Sequence, residues 1–215
     1  MSGLEAEADL RKRIVLWGRS LFERGFTVGS SGNISVKLED GFLVTPTNSC
    51  FGFLDAERIS RLDTGWRHVG GDAPTKELPL HRAFYEARPA AGAVVHLHST
   101  YATALSCLAD IDPEDAVTPI TPYVVMRVGR VPVLPYTPPG SPDVAPLVAA
   151  RAAEHAAVLL ANHGPVVAGA SLDSAVFAAE ELEETARLLI VTRGLAVRSL
   201  DQSQIDQLNA RFALK

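Results

Sequence analysis

Two of the six histidines, His96 and His98, stand one residue apart at the end of the apolar run Ala93-Val94-Val95-His96-Leu97-His98. Residues two apart on a strand point to the same face, so two imidazoles at this spacing can share one ion. His163 is a third candidate, because it closes a second apolar run, Ala157-Val158-Leu159-Leu160-Ala161, and is followed by Gly164, which lets the backbone turn the ring toward a neighbouring strand. Three imidazoles with a fourth position left open make a catalytic zinc site. Manganese, cobalt and nickel are compatible with the same donors. Taken alone, His96 and His98 also fit a pair of strand-end histidines satisfied by backbone hydrogen bonds; a third histidine ending a similar strand favours the metal. His68 and His155 lie among polar or helical-surface residues and read as solvated.

Glu77, in Pro74-Thr75-Lys76-Glu77, falls where a helix should begin, a place whose unpaired backbone N–H groups favour anions. It reads either as an ordinary helix-start acid or, close to a metal, as a proton-transfer group with its pKa set by the ion and by desolvation. His81 follows one helical turn later on the same face and reads as a hydrogen-bond partner. Three loops offer hydroxyls, amides and backbone donors of the kind that cradle phosphate: Ser30-Ser31-Gly32-Asn33, Thr45-Pro46-Thr47-Asn48 and Thr75-Lys76. Each alone is ordinary turn chemistry. Together with three histidines and a helix-start acid they describe a site for a small phosphorylated carbonyl compound.

The elements that must position these groups follow from periodicity. Leu10, Ile14, Trp17 and Leu21 mark one face of a helix over residues 5–24, stopped by Gly25. Alternation over 33–38, a turn at Asp40-Gly41 and Phe42-Leu43-Val44 predict a β-hairpin. A helix over 78–88, ended by Pro89, should lead into a buried strand at 93–98, then a helix from Ser99, as N-cap, to Ala109. Nine prolines between Pro113 and Pro146 predict loops with short edge strands at 124–128 and 131–134. A strand at 157–161, a turn at 162–164, a strand at 166–168 and a long helix over 172–193, stopped by Gly194, complete the pattern. Glu180 to Glu184 read as a solvated face, with Glu183 supported by Arg187. The expected architecture is one layered α/β domain spanning 1–215, with an antiparallel or mixed sheet packed against helices.

Composition narrows the functional classes. With 20 basic and 25 acidic residues among 215, the formal charge of −5 offers no cationic field for nucleic acid or an anionic membrane. No stretch approaches the ~18 apolar residues of a membrane span, and Met1 to Lys12 contains acids and no apolar run, so no signal peptide is expected. Cys50 and Cys107 are not spaced as a metal or redox pair, in keeping with a reducing cytoplasm.

The ordered series Gly32-Asn33-Ile34-Ser35, Thr45-Pro46-Thr47, Glu77, His96-Leu97-His98 and Asn162-His163-Gly164 resembles the class II aldolase/adducin family over roughly Leu10 to Arg193. The resemblance implies a single α/β/α sandwich with a largely antiparallel sheet, assembled as a homotetramer with sites between subunits. It implies zinc held by His96, His98 and His163, with Glu77 as acid/base and able to reach the vacant metal position. It also implies phosphate contacts from Gly32, Asn33, Thr47, Asn48, Thr75 and Lys76, and a proton donor, Tyr123, supplied by a neighbouring subunit. Without the family, Tyr123 reads as core or interface.

Where fuculose-phosphate aldolases carry two serines before the glutamate, this chain has Thr75 and Lys76. Together with His96-Leu97-His98-Ser99-Thr100, residues 121–129 and residues 160–169, this segment resembles the branch of the family that decarboxylates 3-oxo-tetronate 4-phosphates. The implied reaction is zinc-dependent loss of CO2 through a metal-stabilised enediolate to give dihydroxyacetone phosphate. The alternatives are a sugar-phosphate aldolase or epimerase, and a non-catalytic assembly module like the adducin head. The intact triad and Glu77 argue against the last.

Overall fold

The computed structural model describes residues 3–212. In chain order the elements are α1 (Gly3–Glu23), β1 (Asn33–Leu38), β2 (Gly41–Val44), β3 (Ser60–Asp63), β4 (His68–Gly70), α2 (Leu78–Ala87), β5 (Ala93–His96), α3 (Thr100–Ser106), α4 (Pro122–Arg127), β6 (Val133–Leu134), α5 (Val144–Ala152), β7 (Ala157–Leu160), β8 (Gly164–Gly169), α6 (Leu172–Val191) and α7 (Gln202–Arg211). The eight strands form one sheet in the order β4-β3-β2-β1-β5-β8-β7-β6, antiparallel throughout except for β6 beside β7.

Strand alternation creates two cores. Ile34, Val36, Leu43, Val95, Leu159 and Val167 point to one face, where they meet buried residues of α1, α3, α4 and α6. Phe42, Val44, Val94, Val158, Leu160 and Val166 point to the other, against Leu80 and Phe84 of α2 and Val148 of α5. Each fully buried Val or Leu contributes about 1.5–3 kcal/mol, so both faces of the sheet are held by comparable packing. The expected α/β/α sandwich with a largely antiparallel sheet is what the chain forms. Among the described residues no helix is long and apolar enough to cross a membrane.

Several local expectations are corrected. Residues 124–128 form no edge strand: Thr121 and Pro122 open a helix, and Val124, Val125 and Val128, spaced at helical intervals, are buried in the core that α6 also lines. Packing overrides the β preference of this valine-rich stretch. The second predicted edge strand shrinks to Val133–Leu134. The strand at 93–98 ends at His96, and the helix after Ser99 ends at Ser106, where Cys107 and Leu108 donate tighter backbone bonds to Ala104 and Leu105. The strands at 157–161 and 166–168 become 157–160 and 164–169, and the final long helix closes at Val191. The strands β3 and β4 and the helices α5 and α7 were not anticipated.

Candidate metal centre

Registry gathers residues remote in sequence. In the sheet Asn33 of β1 lies opposite His96 of β5, and His96 lies opposite Val166 of β8. The end of β5 therefore abuts the Asn162-His163-Gly164 turn that enters β8. Asn162 has φ 57° and Gly164 φ 155°; a Cβ on Gly164 would lie 2.4 Å from the Leu97 carbonyl oxygen, so a side chain there would push His163 away from the strand end.

The three imidazoles converge. Nε2 of His98 lies 3.1 Å from Nε2 of both His96 and His163, and those two are 3.3 Å apart. Two zinc–nitrogen bonds of ~2.05 Å at a tetrahedral angle put their nitrogens about 3.3 Å apart, so the spacing fits one ion. His98 stands just beyond the end of β5, but Leu97 is buried in the opposite core, so the period-two alternation continues through it. His96 Nδ1–H donates to the Pro165 carbonyl at 2.9 Å, which leaves Nε2 as a bare lone pair facing the cluster. Burial pushes the His96 pKa down to about 4 and lowers those of His98 and His163, so all three are neutral, the form that ligates.

Glu77 completes the donor set. Its Oε2 lies 3.4 Å from His96 Nε2 and its Oε1 3.6 Å from His163 Nε2, and one ligand atom from each of the four residues lies within 4.8 Å of the others. Burial works against ionisation of this carboxyl, but positive charge on His96, the amide bond from Asn33, and charge on His163 and His81 outweigh it and hold the pKa below the usual range. Imidazoles that are neutral at pH 7 supply little of that charge; a divalent cation between them would supply it in full. The donor set, three neutral nitrogens and a carboxylate, fits such an ion.

Glu77 occupies the N-cap of α2 but makes no side-chain cap bond. Its Oε2 instead accepts from Asn33 Nδ2 at 2.7 Å. Asn33 Oδ1 accepts from His81 Nε2–H, and His81 Nδ1 meets Ser35 Oγ at 2.7 Å. Complete burial pushes the His81 pKa down to about 3, so it is neutral as well.

The proposed phosphate loops lie side by side. Thr47 N–H donates to the Ala73 carbonyl at 2.9 Å and Thr75 N–H to the Thr45 carbonyl at 3.2 Å, so residues 45–47 and 73–75 are joined edge to edge. Asn48 adopts φ 54°, Thr75 is buried, and Lys76 is exposed. Gly32, at φ 82°, fits against the His96 carbonyl oxygen, which a Cβ would approach to 2.9 Å. One N–H of the Asn33 amide is given to Glu77, leaving the second for a ligand. The segment Thr137-Pro138-Pro139-Gly140 lies over Glu77 and His163, enclosing a cavity of about 10 Å³ that is no larger than one water. Cavities of about 710 and 520 Å³ lie elsewhere and include none of these groups, so the chemistry of the cluster, not cavity size, identifies the site. Tyr123, in the first turn of α4, is 54% exposed and lies outside the cluster.

Sequence reasoning missed a supporting residue on α6. Glu183, expected on a solvated face with Arg187, accepts from the backbone N–H groups of Tyr101 at 2.9 Å and Ala102 at 2.8 Å, and Arg187 pairs with Glu184 instead. Glu183 thus caps α3 directly after His98, a role expected of Ser99, whose buried hydroxyl has no partner. A glutamate in mid-helix carries no local sign of capping a different helix. His68 is exposed and bonds to the Gly70 carbonyl, while partly buried His155 meets the Arg130 carbonyl.

Residues 12–190 match the family model for the class II aldolase and adducin N-terminal domain. A Haemophilus influenzae protein named 3-oxo-tetronate 4-phosphate decarboxylase is 50% identical over 202 residues, covering 94% of this chain and 96% of that protein. An L-fuculose phosphate aldolase of the same organism is 32% identical over 209 residues, covering 95% and 94%. The crystal structure of YgbL from Klebsiella pneumoniae superposes with a TM-score of 0.91 at 48% identity, over 94% of this chain and 98% of that one. With its sheet order, its His/Glu cluster and these likenesses, the chain belongs to the class II aldolase and adducin N-terminal domain family.

Proposed function

We propose that this chain is a zinc-dependent decarboxylase that converts a 3-oxo-tetronate 4-phosphate to dihydroxyacetone phosphate and CO2. The observation that carries the reading is the Glu77 carboxylate beside the three converging imidazoles, in a chain half identical to a protein named for that reaction. His96, His98 and His163 hold the ion, and Glu77 lies near enough to join them. When bound, the ion supplies an electron sink for the C3 carbonyl and stabilises the enediolate charge.

Cleavage of the C1–C2 bond releases CO2 and leaves its electron pair on C2, conjugated with C3. Glu77, an ionised carboxylate at rest, takes up a proton from solvent and delivers it to C2, which gives dihydroxyacetone phosphate and leaves the carboxylate ionised again. Gly32, Asn33, Thr47, Asn48, Thr75 and Lys76 bind the phosphate. Lys76 is assigned there because a cation held tightly on the C1 carboxylate would oppose its loss. Tyr123 acts as a proton donor from a neighbouring subunit of a homotetramer, in accord with its exposure and its place outside the chain's own cluster. Two free cysteines accord with a reducing cytoplasm.

A paired assay tests the reading. Zinc-loaded protein should release CO2 and dihydroxyacetone phosphate from one of the 3-oxo-tetronate 4-phosphates and no aldehyde from fuculose 1-phosphate. Aldehyde release without CO2 would replace the decarboxylase with an aldolase working through the same groups.

A further inference from the structure

Behind Glu77 a line of polar side chains runs into the second core, between β1 and α2. Asn33 and Ser35 project from the same face of β1, and Glu77, His81 and Tyr85 follow one another at four-residue intervals at and along α2. Two strand residues rise ~6.6 Å and four helix residues ~6 Å, so the rows stay in step and interleave. The resulting order is Tyr85, Ser35, His81, Asn33, Glu77, with contacts of 3.1 Å from Tyr85 to Ser35, 2.7 Å from Ser35 to His81 and 2.7 Å from Asn33 to Glu77. Ser35, His81 and Tyr85 are all at most 5% exposed, in a core otherwise made of Phe42, Val44, Phe84 and Val94.

The direction of every bond is determined. A carboxylate only accepts, so Asn33 turns its NH2 to Glu77 and its oxygen to His81. That oxygen requires a donor, so the single N–H of the neutral imidazole is on Nε2. Nδ1 must then accept from Ser35 O–H, and Ser35 Oγ from Tyr85 O–H. All four donors point toward Glu77, an arrangement in which each bond polarises the next.

We infer that His81, Ser35 and Tyr85, acting through Asn33, are positioning residues that fix the orientation of the Glu77 carboxylate at the metal centre. The chain reserves Oε2 as an acceptor and leaves Oε1 as the oxygen able to carry the proton for C2. His81 meets the phosphate loops only at Asn33 Oδ1, Ser35 and Tyr85 hydrogen-bond to no phosphate-loop residue, and none of the three bonds to the imidazole nitrogens of the cluster, so their principal effect is on Glu77 geometry. The kinetic consequence rests on the decarboxylase reading above; the geometric one does not.

The test compares His81→Phe, which keeps the ring volume and removes both nitrogens, with His81→Gln, whose amide retains the N–H toward Asn33, and adds Tyr85→Phe at the far end. In folded, zinc-loaded protein His81→Phe should lower kcat for CO2 release by about 10- to 100-fold with KM changed by less than about 3-fold, the usual cost of losing a group that orients a ligand. His81→Gln should recover most of that loss, and Tyr85→Phe should cost less than His81→Phe. With Co2+ as the bound metal, the visible spectrum should change in His81→Phe and return toward that of the unaltered chain in His81→Gln. If His81→Phe keeps kcat within about 2-fold, or if the Phe and Gln variants are equally impaired and their Co2+ spectra are unchanged, the inference is overturned. Should the unaltered chain release no CO2, the decarboxylase reading fails, and the Co2+ spectra alone decide this one.

Discussion

The Nδ1–H of His96 donates to the carbonyl oxygen of Pro165, 69 residues away, at 2.9 Å. That oxygen also accepts the backbone N–H of Leu97 at 3.2 Å, so one carbonyl on β8 fixes both the tautomer of His96 and the backbone that leads to His98. Substitution His96→Ala removes the only fully buried imidazole of the triad and leaves two donors on loops. After dialysis the variant should retain less than about a tenth of the metal held by the unaltered chain, measured by plasma mass spectrometry. Full metal content would remove His96 from the ligand set.

Glu77→Gln keeps the shape and an acceptor oxygen but cannot carry the proton. Metal content should stay near one ion per chain while kcat for CO2 release falls by about 10²- to 10⁴-fold, the span of general acid–base contributions. Turnover equal to that of the unaltered chain would assign the proton to another group.

The Glu183 carboxylate bonds two backbone N–H groups at the start of α3. Loss of such charge-assisted bonds costs about 2 kcal/mol, so Glu183→Ala should lower the thermal midpoint by about 5 °C. Because the capped turn follows His98 directly, metal affinity should fall as well, read by competition with a chromophoric chelator. A loss of stability with affinity unchanged would confine Glu183 to the scaffold.

Acid should destabilise the metal-free chain. Burial holds the pKa of His81 at about 3 and that of His96 at about 4, both below 6.5. Between about pH 6.5 and pH 3 the unfolded chain binds protons that the folded chain does not, so stability rises with pH across this window. Urea midpoints should therefore decline steadily from pH 7 to pH 4, and less steeply in His81→Gln. An unchanged midpoint across that range would contradict the burial of neutral histidines.

The three histidines of the candidate metal centre were legible from residue type and local spacing, since His96, His98 and His163 end apolar runs, whereas Glu77 read equally as an ordinary helix-start acid and joined them as a metal donor only through the family resemblance. Of the partners that orient them, His81 was legible as a hydrogen-bond partner one turn after Glu77, but the bonds that connect them were not. The bond from Asn33 to Glu77 spans 44 residues and the one from Glu183 to Tyr101 spans 82, and both exist only after strand register and helix packing bring the segments together. The same limit governs the fold. α6, a long run stopped by Gly194, announces itself in sequence, whereas α4 is a valine-rich stretch made helical by Thr121-Pro122 and by packing in the core it shares with α6.

The most direct test of the central claim is CO2 release measured on one preparation as isolated, after stripping with a chelator, and after reloading with zinc, with dihydroxyacetone phosphate quantified in parallel. The account predicts that CO2 and dihydroxyacetone phosphate form in equal amounts from a 3-oxo-tetronate 4-phosphate, vanish together on stripping and return together with zinc. CO2 release that survives complete removal of the metal would contradict it.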